Sequence, residues 1–173
     1  MRATPCPSPV RRAVPGAIAA ALALAGALAC APASAPAPTD DSGVVPLQRV
    51  YTGDLGTLIA VDVDAGGVRG RWIVDTGSSR HLVSPAFARR HALRERRRVT
   101  ADTAFGTLHG PEVELPPLHV GATTLDGQRA LVLDLALLAG PAADGIDGVL
   151  GAPWLDGVVL DLDLRASTLR ATR

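Results

Sequence analysis

From residue 50 onward, the hydrophobic residues come in short runs that glycine, aspartate and proline interrupt. No helical period of 3.6 residues persists beyond about three turns, so the pattern predicts a mostly β protein. Gly66-Gly67 predicts a tight hairpin turn between the first two strands, because glycine adopts a positive φ without steric cost. The predicted strands are Leu55–Val63, Val68–Val74, Arg97–Thr103, Thr107–Leu115, Leu118–Val120, Arg129–Leu133, Val158–Leu164 and Thr168–Ala171.

One short helix is predicted directly after residue 84. Ser84 supplies a hydroxyl for the N-cap, and Pro85 suits the first helical position because its missing N–H has no partner there. The helix is expected to cover Ala86–Leu93, with Phe87 and Leu93 facing the core.

A second, shorter helical turn is predicted at Ala152-Pro153, and it would carry Trp154 and Leu155 toward the core before Asp156-Gly157 ends it. Both predicted helices follow an apolar segment that contains glycine. This parallel between Ile73–Gly77 and Val149–Gly151 indicates a weak internal two-fold symmetry.

The first 46 residues differ from the rest of the chain. Residues 1–12 are basic and rich in proline, and the Ala/Leu run at 13–29 is somewhat shorter than the roughly 20 residues of a spanning helix. Residues 1–29 are therefore predicted to be an export signal. Residues 30–46 lack periodicity and favour an extended tether. The folded domain is predicted over 47–173, beginning near Leu47 or Tyr51.

Cys30 follows the hydrophobic run directly, and Cys6 lies within the segment expected to be removed. The mature chain would then carry one cysteine and no internal disulfide. The position of Cys30 resembles a bacterial lipobox, in which the thiol is lipidated and becomes the mature N-terminus. Ala27-Leu28-Ala29 also fits ordinary signal cleavage and plain secretion into the periplasm. We expect an exported, periplasmic protein that meets a membrane only through a lipid anchor at Cys30.

The 173 residues correspond to about one domain, and 47% of them are hydrophobic, which excludes a wholly disordered chain. Aromatic residues make up only 3%, so the chain offers little for stacking on nucleic-acid bases. Without the arginines of residues 1–12, 14 arginines face 17 acidic residues. This balance gives no reason to expect binding to DNA or to an anionic membrane surface.

The candidate chemistry lies in the segment Asp75-Thr76-Gly77-Ser78-Ser79, which follows the apolar strand end Trp72-Ile73-Val74. A carboxylate beside a buried strand must be hydrogen-bonded or paired, or its pKa shifts until it is protonated. Gly77 leaves space for a second backbone or carboxylate, and Thr76 and Ser78 offer hydroxyl donors. The alternative is that Asp75 only caps a turn.

Ile73–Ser79 resembles the catalytic motif of the retropepsin-like aspartic proteases, in particular the small bacterial aspartyl protease family with one motif per chain. Gly145–Gly151, about 70 residues later, resembles the second signature of that family. The resemblance covers roughly residues 50–172. It implies an all-β, closed barrel-like half-domain with one or two short helices. It also implies an aspartic endopeptidase acting on peptides or proteins, in which a homodimer brings two Asp75 carboxylates together and no cofactor is needed.

Two carboxylates a few Å apart cannot both ionise, so one can activate water while the other polarises the peptide carbonyl. By resemblance, Thr76 braces the pair across the two-fold axis and Gly77 allows the two loops to approach. Leu150 and Gly151 would pack behind the catalytic loop, and a hairpin over Thr100–Gly110 would cover the cleft.

The chain departs from the retroviral pattern in two places. Ser78 stands where alanine is usual, and no charged pair follows Gly151. We expect the Ser78 hydroxyl to donate a hydrogen bond to the Asp75 carboxylate, which would lower the apparent pKa values of the pair. The alternative is that Ser78 caps the turn and points away from the carboxylate.

Other site types fit the sequence less well. His81, His91, His109 and His119 form no i, i+4 pair and have no cysteine nearby, so we expect partly exposed surface histidines and no metal site. A serine nucleophile at Ser78 or Ser79 lacks the second glycine of a nucleophile elbow. The basic run at 89–98 is interpreted as a solvated helix end. A lipid-anchored binding or scaffold domain that keeps the fold without catalysis remains the alternative function.

Overall fold

The computed structural model describes residues 43–53, 56–103 and 106–173. The predicted export signal, Cys30 and most of the predicted tether lie outside the described residues. Within the described part, the chain forms thirteen strands, with a few short helical segments between groups of consecutive strands. The strands are β1 Val44–Pro46, β2 Gln48–Tyr51, β3 Thr57–Ala65, β4 Val68–Val74, β5 His81–Val83, β6 Glu95–Thr103, β7 Gly106–Glu114, β8 Leu118–Val120, β9 Thr123–Leu125, β10 Arg129–Val132, β11 Gly148–Leu150, β12 Val159–Asp163 and β13 Thr168–Thr172.

Two α-helices of four to six residues interrupt the strands, α1 at Pro85–Arg90 and α2 at Ala136–Ala139. Two 3-10 helices cover Gly140–Ala143 and Ala152–Leu155. The second of these is the helical turn predicted from the sequence, and its Trp154 is buried. The predicted all-β class with short helices is confirmed, and every predicted strand is present with ends shifted by a few residues.

Nine strands of the larger sheet follow the order β6-β7-β10-β5-β11-β4-β3-β8-β9, and β2 pairs with β3 beside this path. No ladder joins β6 to β9 within the described residues, so this sheet is open where a closed, barrel-like one was expected. The smaller sheet has the order β1-β13-β12. Its strand β1, Val44–Pro46, pairs with Thr168–Arg170 and lies inside the segment predicted as tether.

Both faces of the central strands are buried. Successive side chains of a strand point to opposite faces, and here they enter two separate hydrophobic clusters. Trp72 and Leu150 belong to the larger cluster, whereas their neighbours Ile73 and Val149 belong to the smaller one. Such strands appear in sequence as continuous apolar runs, as in the run that precedes Asp75.

The hairpin and the first helix form as the sequence predicts. Gly66 and Gly67 both have positive φ values and join β3 to β4 through a two-residue turn. The Ser84 hydroxyl caps α1 by accepting a hydrogen bond from the Phe87 amide at 3.0 Å. The helix ends at Arg90, earlier than predicted, because Ala92 turns the chain with φ of 50°. Beyond that turn Leu93 still packs against the core, as expected.

Candidate active site

The two motifs singled out in the sequence lie side by side in the sheet. Strand β11 runs parallel to β4 and antiparallel to β5, so it lies between the strands that enter and leave the Asp75 loop. The parallel register places Leu150 opposite Val74 and Val149 opposite Ile73. Directly after these pairs, the Asp75 amide donates a hydrogen bond to the Leu150 carbonyl at 3.0 Å. The Asp75 loop thus starts from a strand end that is fixed on both sides.

The Asp75 carboxylate lies at the exposed end of this buried strand. Its Oδ1 accepts a hydrogen bond from the Gly77 amide at 3.0 Å, and the Ser78 amide donates to the Asp75 carbonyl at 3.2 Å. A Cβ at position 77 would lie 3.3 Å from Asp75 Oδ1, a tight contact that glycine avoids. Asp75, Thr76 and Gly77 are all exposed in the single chain. These residues therefore form an exposed turn whose backbone conformation is fixed by hydrogen bonds.

The Ser78 hydroxyl does not take the role expected from the sequence. It donates its hydrogen bond to the Arg80 carbonyl at 2.7 Å. A hydroxyl has one hydrogen to donate, so this bond leaves none for the Asp75 carboxylate. The expected Ser78–Asp75 hydrogen bond is wrong for this structure, and Ser78 instead stabilises the turn between Asp75 and β5.

The second motif packs directly against the Asp75 loop. The Ala152 amide donates to the Ser78 carbonyl at 2.7 Å, and a Cβ at position 151 would lie 2.1 Å from the Arg80 carbonyl oxygen. Only glycine fits at a backbone approach this close. As expected, Leu150 and Gly151 belong to a segment packed behind the Asp75 loop.

Asp147, the acidic residue of the second motif, has a structural environment. Its carboxylate accepts a hydrogen bond from Arg90 of α1 at 2.7 Å, and its amide donates to the Arg71 carbonyl at 2.8 Å. Its carbonyl accepts from the Ser84 amide at 2.9 Å. Asp147 therefore joins α1 to the middle of β4, and its carboxylate is held in an ion pair away from Asp75.

The hairpin predicted over Thr100–Gly110 is present as β6 and β7, whose last paired residues are Thr103 and Gly106. Its tip, residues 104 and 105, lies outside the described residues. Closure of this hairpin over a cleft stays a prediction.

A buried carboxylate, absent from the sequence-based candidates, links this hairpin to the segment that follows Asp75. Glu112 of β7 accepts hydrogen bonds from Arg97 Nε at 2.7 Å and Arg80 at 3.1 Å, and only 4% of its side chain is exposed. The hydrogen bond from Arg97 lowers the pKa of Glu112, burial opposes this, and the charges of Arg97, Arg129 and Arg80 lower it further. No sequence signal distinguishes Glu112 from the other acidic residues of the strand pattern.

The four histidines occupy different environments. His109 and His119 are both exposed. His109 shares a hydrogen bond with Thr100, and His119 shares one with Thr124, each at 3.0 Å. The His91 ring packs on Phe87 at 4.2 Å between centroids. His81 is fully buried, so the expectation of a surface residue is wrong there. Within the described part of the chain, no group of three or more potential metal ligands forms.

Comparison with known proteins agrees with the geometry. The family model described as aspartyl protease matches residues 61–154, which include both motifs and the strands that carry them. The chain belongs to the aspartyl protease family. The match covers both the Asp75 loop and the Gly151 segment behind it.

Solved structures similar to this aspartyl protease family member include a retropepsin-like aspartic protease from Rickettsia conorii. It is 14% identical, with a TM-score of 0.46, covering 75% of this chain and 94% of that one. The retroviral protease-like domain of Ddi1 from Leishmania major is 12% identical, with a TM-score of 0.42, covering 68% of this chain and 95% of that one. No curated protein matches the chain.

Proposed function

We propose that this protein is an aspartic endopeptidase whose active site forms between two copies of the chain. The observation that carries the proposal is the Asp75 loop, an exposed Asp-Thr-Gly turn held rigidly at the end of a strand buried on both faces. A turn with a purely structural role needs neither an outward carboxylate nor a second motif packed behind it.

The dimer follows from the chemistry of the carboxylate. The sequence contains a single Asp-Thr-Gly, and the one carboxylate cannot act as acid and base at the same time. Two Asp75 carboxylates brought together by a two-fold axis would share one proton, because they cannot both ionise at a few Å. The pair then titrates as a unit, and its pKa values belong to neither protomer.

In the proposed reaction, the ionised Asp75 removes a proton from a bound water, which attacks the peptide carbonyl carbon. The protonated Asp75 donates a hydrogen bond to the carbonyl oxygen and stabilises the tetrahedral intermediate. Thr76, exposed beside the carboxylate, would brace the pair from the partner chain. Gly77 orients Asp75 through its amide and leaves the approach to the partner open.

The substrate is proposed to be a peptide or protein in the periplasm. We infer this location from the export signal at 1–29, and we propose that Cys30 carries a lipid that anchors the domain through the segment that follows. Among the described residues, no helix is long and apolar enough to cross a membrane. Replacing Cys30 by serine should release or mislocalise the protein in a bacterial host. An unmodified N-terminus in the mass spectrum of the wild-type chain would contradict lipidation.

The test of the activity is a proteome-wide cleavage assay with the purified chain and two variants. Asp75→Asn removes the ionisable group at constant size. Its rate of cleavage at the sites that the wild type cuts should fall by at least about 100-fold. Asp156→Asn makes the same substitution in an exposed turn and should cleave like the wild type. If wild type and Asp75→Asn produce the same peptides, the protein is not an aspartic protease. A folded dimer that cleaves nothing would favour the binding or scaffold alternative.

A further inference from the structure

The buried histidine behind the catalytic loop has a defined protonation state. His81 Nδ1 lies 3.1 Å from the Gly151 amide nitrogen, and its Nε2 lies 3.0 Å from Gln128 Oε1. A backbone amide can only donate, so Nδ1 must be the unprotonated acceptor and Nε2 carries the hydrogen. Gln128 is oriented for this, since its Nε2 donates to the Asp126 carbonyl at 3.2 Å and leaves Oε1 toward the ring. The structure therefore requires the neutral imidazole.

The Gly151 amide, which donates to this ring, lies at the centre of the segment that holds the Asp75 loop. On one side of Gly151, the Leu150 carbonyl accepts from the Asp75 amide. On the other side, the Ala152 amide donates to the Ser78 carbonyl. Three consecutive residues thus hold both ends of the Asp75–Ser78 turn, and the middle one is fixed by His81. Any shift of Gly151 is transmitted to the turn through two short hydrogen bonds.

A proton on Nδ1 would place two N–H groups face to face and break the bond to Gly151. Loss of hydration lowers the pKa of His81, while the acceptors on Gln128 and the Val149 backbone, which favour a protonated ring, partly oppose this. The groups that hydrogen-bond to the ring or affect its pKa come from β11, from the residue after it and from the turn before β10, and they are Val149, Gly151 and Gln128. None of them titrates, and no charged side chain in the described residues bonds to the ring.

We propose that His81 is a positioning residue of the protease: its neutral ring holds Gly151, and through it the Asp75 loop, and protonation of the ring disables the site in acid. The proposal rests on the proposed proteolytic function. It gives this enzyme an acid limit to its activity that is separate from the titration of the carboxylate pair.

The test combines two substitutions with a matched control. In His81→Asn, the amide oxygen can accept from Gly151 but cannot take up a proton, so activity should persist near neutral pH. Its acid limb should extend to lower pH by about half a unit or more. In His81→Phe the acceptor is lost, and kcat should fall about tenfold or more with a smaller change in KM. His119→Asn changes an exposed histidine of β8 and should leave both parameters and the pH profile unchanged.

A measurement that needs no activity separates this proposal from the proteolytic function. NMR titration of the imidazole nitrogens in the full-length Asp75→Asn chain should show the Nε2-protonated neutral ring at pH 7. The backbone amide signals of Gly151 and of position 75 should shift at the pH where the ring protonates. Titration of His81 without a Gly151 response, or an unchanged acid limb in a folded His81→Asn, would overturn the proposal. If Gly151 follows the ring but the wild type cleaves nothing, the coupling is supported and the protease function fails.

Discussion

Replacement of Gly151 by alanine probes the contact between the two motifs most directly. The added Cβ would lie 2.1 Å from the Arg80 carbonyl oxygen, 2.5 Å from the Arg80 carbonyl carbon and 2.8 Å from the Ser78 oxygen. Because all three atoms are backbone, no side-chain rotation relieves the contact. A tolerable separation of about 3 Å requires the loop to move by about 1 Å, a displacement that can reduce catalysis about 100-fold. Overpacking of this kind should also destabilise the fold by about 1–3 kcal/mol.

The assay compares kcat/KM and urea unfolding for this variant and for Gly157→Ala. Gly157 has a φ of 69° with open space around it, so alanine there costs about 1–2 kcal/mol of strain without displacing the catalytic loop. We expect both variants to lose stability and only Gly151→Ala to lose activity. If Gly151→Ala folds and retains wild-type kcat/KM, the second motif does not position the Asp75 loop and the reasoning is refuted.

Three further predictions concern polar side chains. The folded-state pKa of Glu112 lies below its ordinary value near 4.5, so its contribution to stability is present above that value and lost as pH falls. In urea unfolding, Glu112→Gln should therefore be less stable than the wild type at neutral pH. On acidification, the variant should lose less stability than the wild type does. Ser84→Ala should lower the free energy of unfolding by about 1 kcal/mol through loss of the α1 cap, without affecting kcat; an unchanged stability would contradict the cap. Since the Ser78 hydroxyl bonds to the Arg80 carbonyl, Ser78→Ala should leave the acid limb of the pH profile in place. An upward shift of that limb would show that Ser78 bonds to Asp75 in the wild type and would contradict this prediction.

The sequence was sufficient to predict the elements that carry a local signal. The Gly66-Gly67 turn and the Ser84 cap each have a chemical requirement that one or two residues reveal. The strand before Asp75 was recognisable because residues buried on both faces form a continuous apolar run. Strands β5 and β11, of three residues each, carry too few positions for a period and were not predicted. They form because their neighbours in the sheet supply the hydrogen bonds.

Side-chain direction at the site could not be predicted, because it depends on contacts between distant residues. Ser78 turns toward the Arg80 carbonyl, and His81 is buried by a segment 70 residues later in the chain. Glu112 likewise pairs with Arg97 inside the β6–β7 hairpin but acquires its second partner, Arg80, only when this hairpin meets the segment after Asp75. The pattern places Asp75 correctly at the end of a buried strand, but the groups that orient its loop come from the tertiary fold.

The central claim, that two chains share one active site, is tested most directly by mixing wild type with Asp75→Asn. Total chain concentration is held constant, subunits are allowed to exchange, and sedimentation confirms the dimer in every mixture. If each site needs Asp75 from both chains, activity falls with the square of the wild-type fraction, to about a quarter in an equal mixture. A linear decline, to about half in the same mixture, would show that each chain acts alone and would contradict the account.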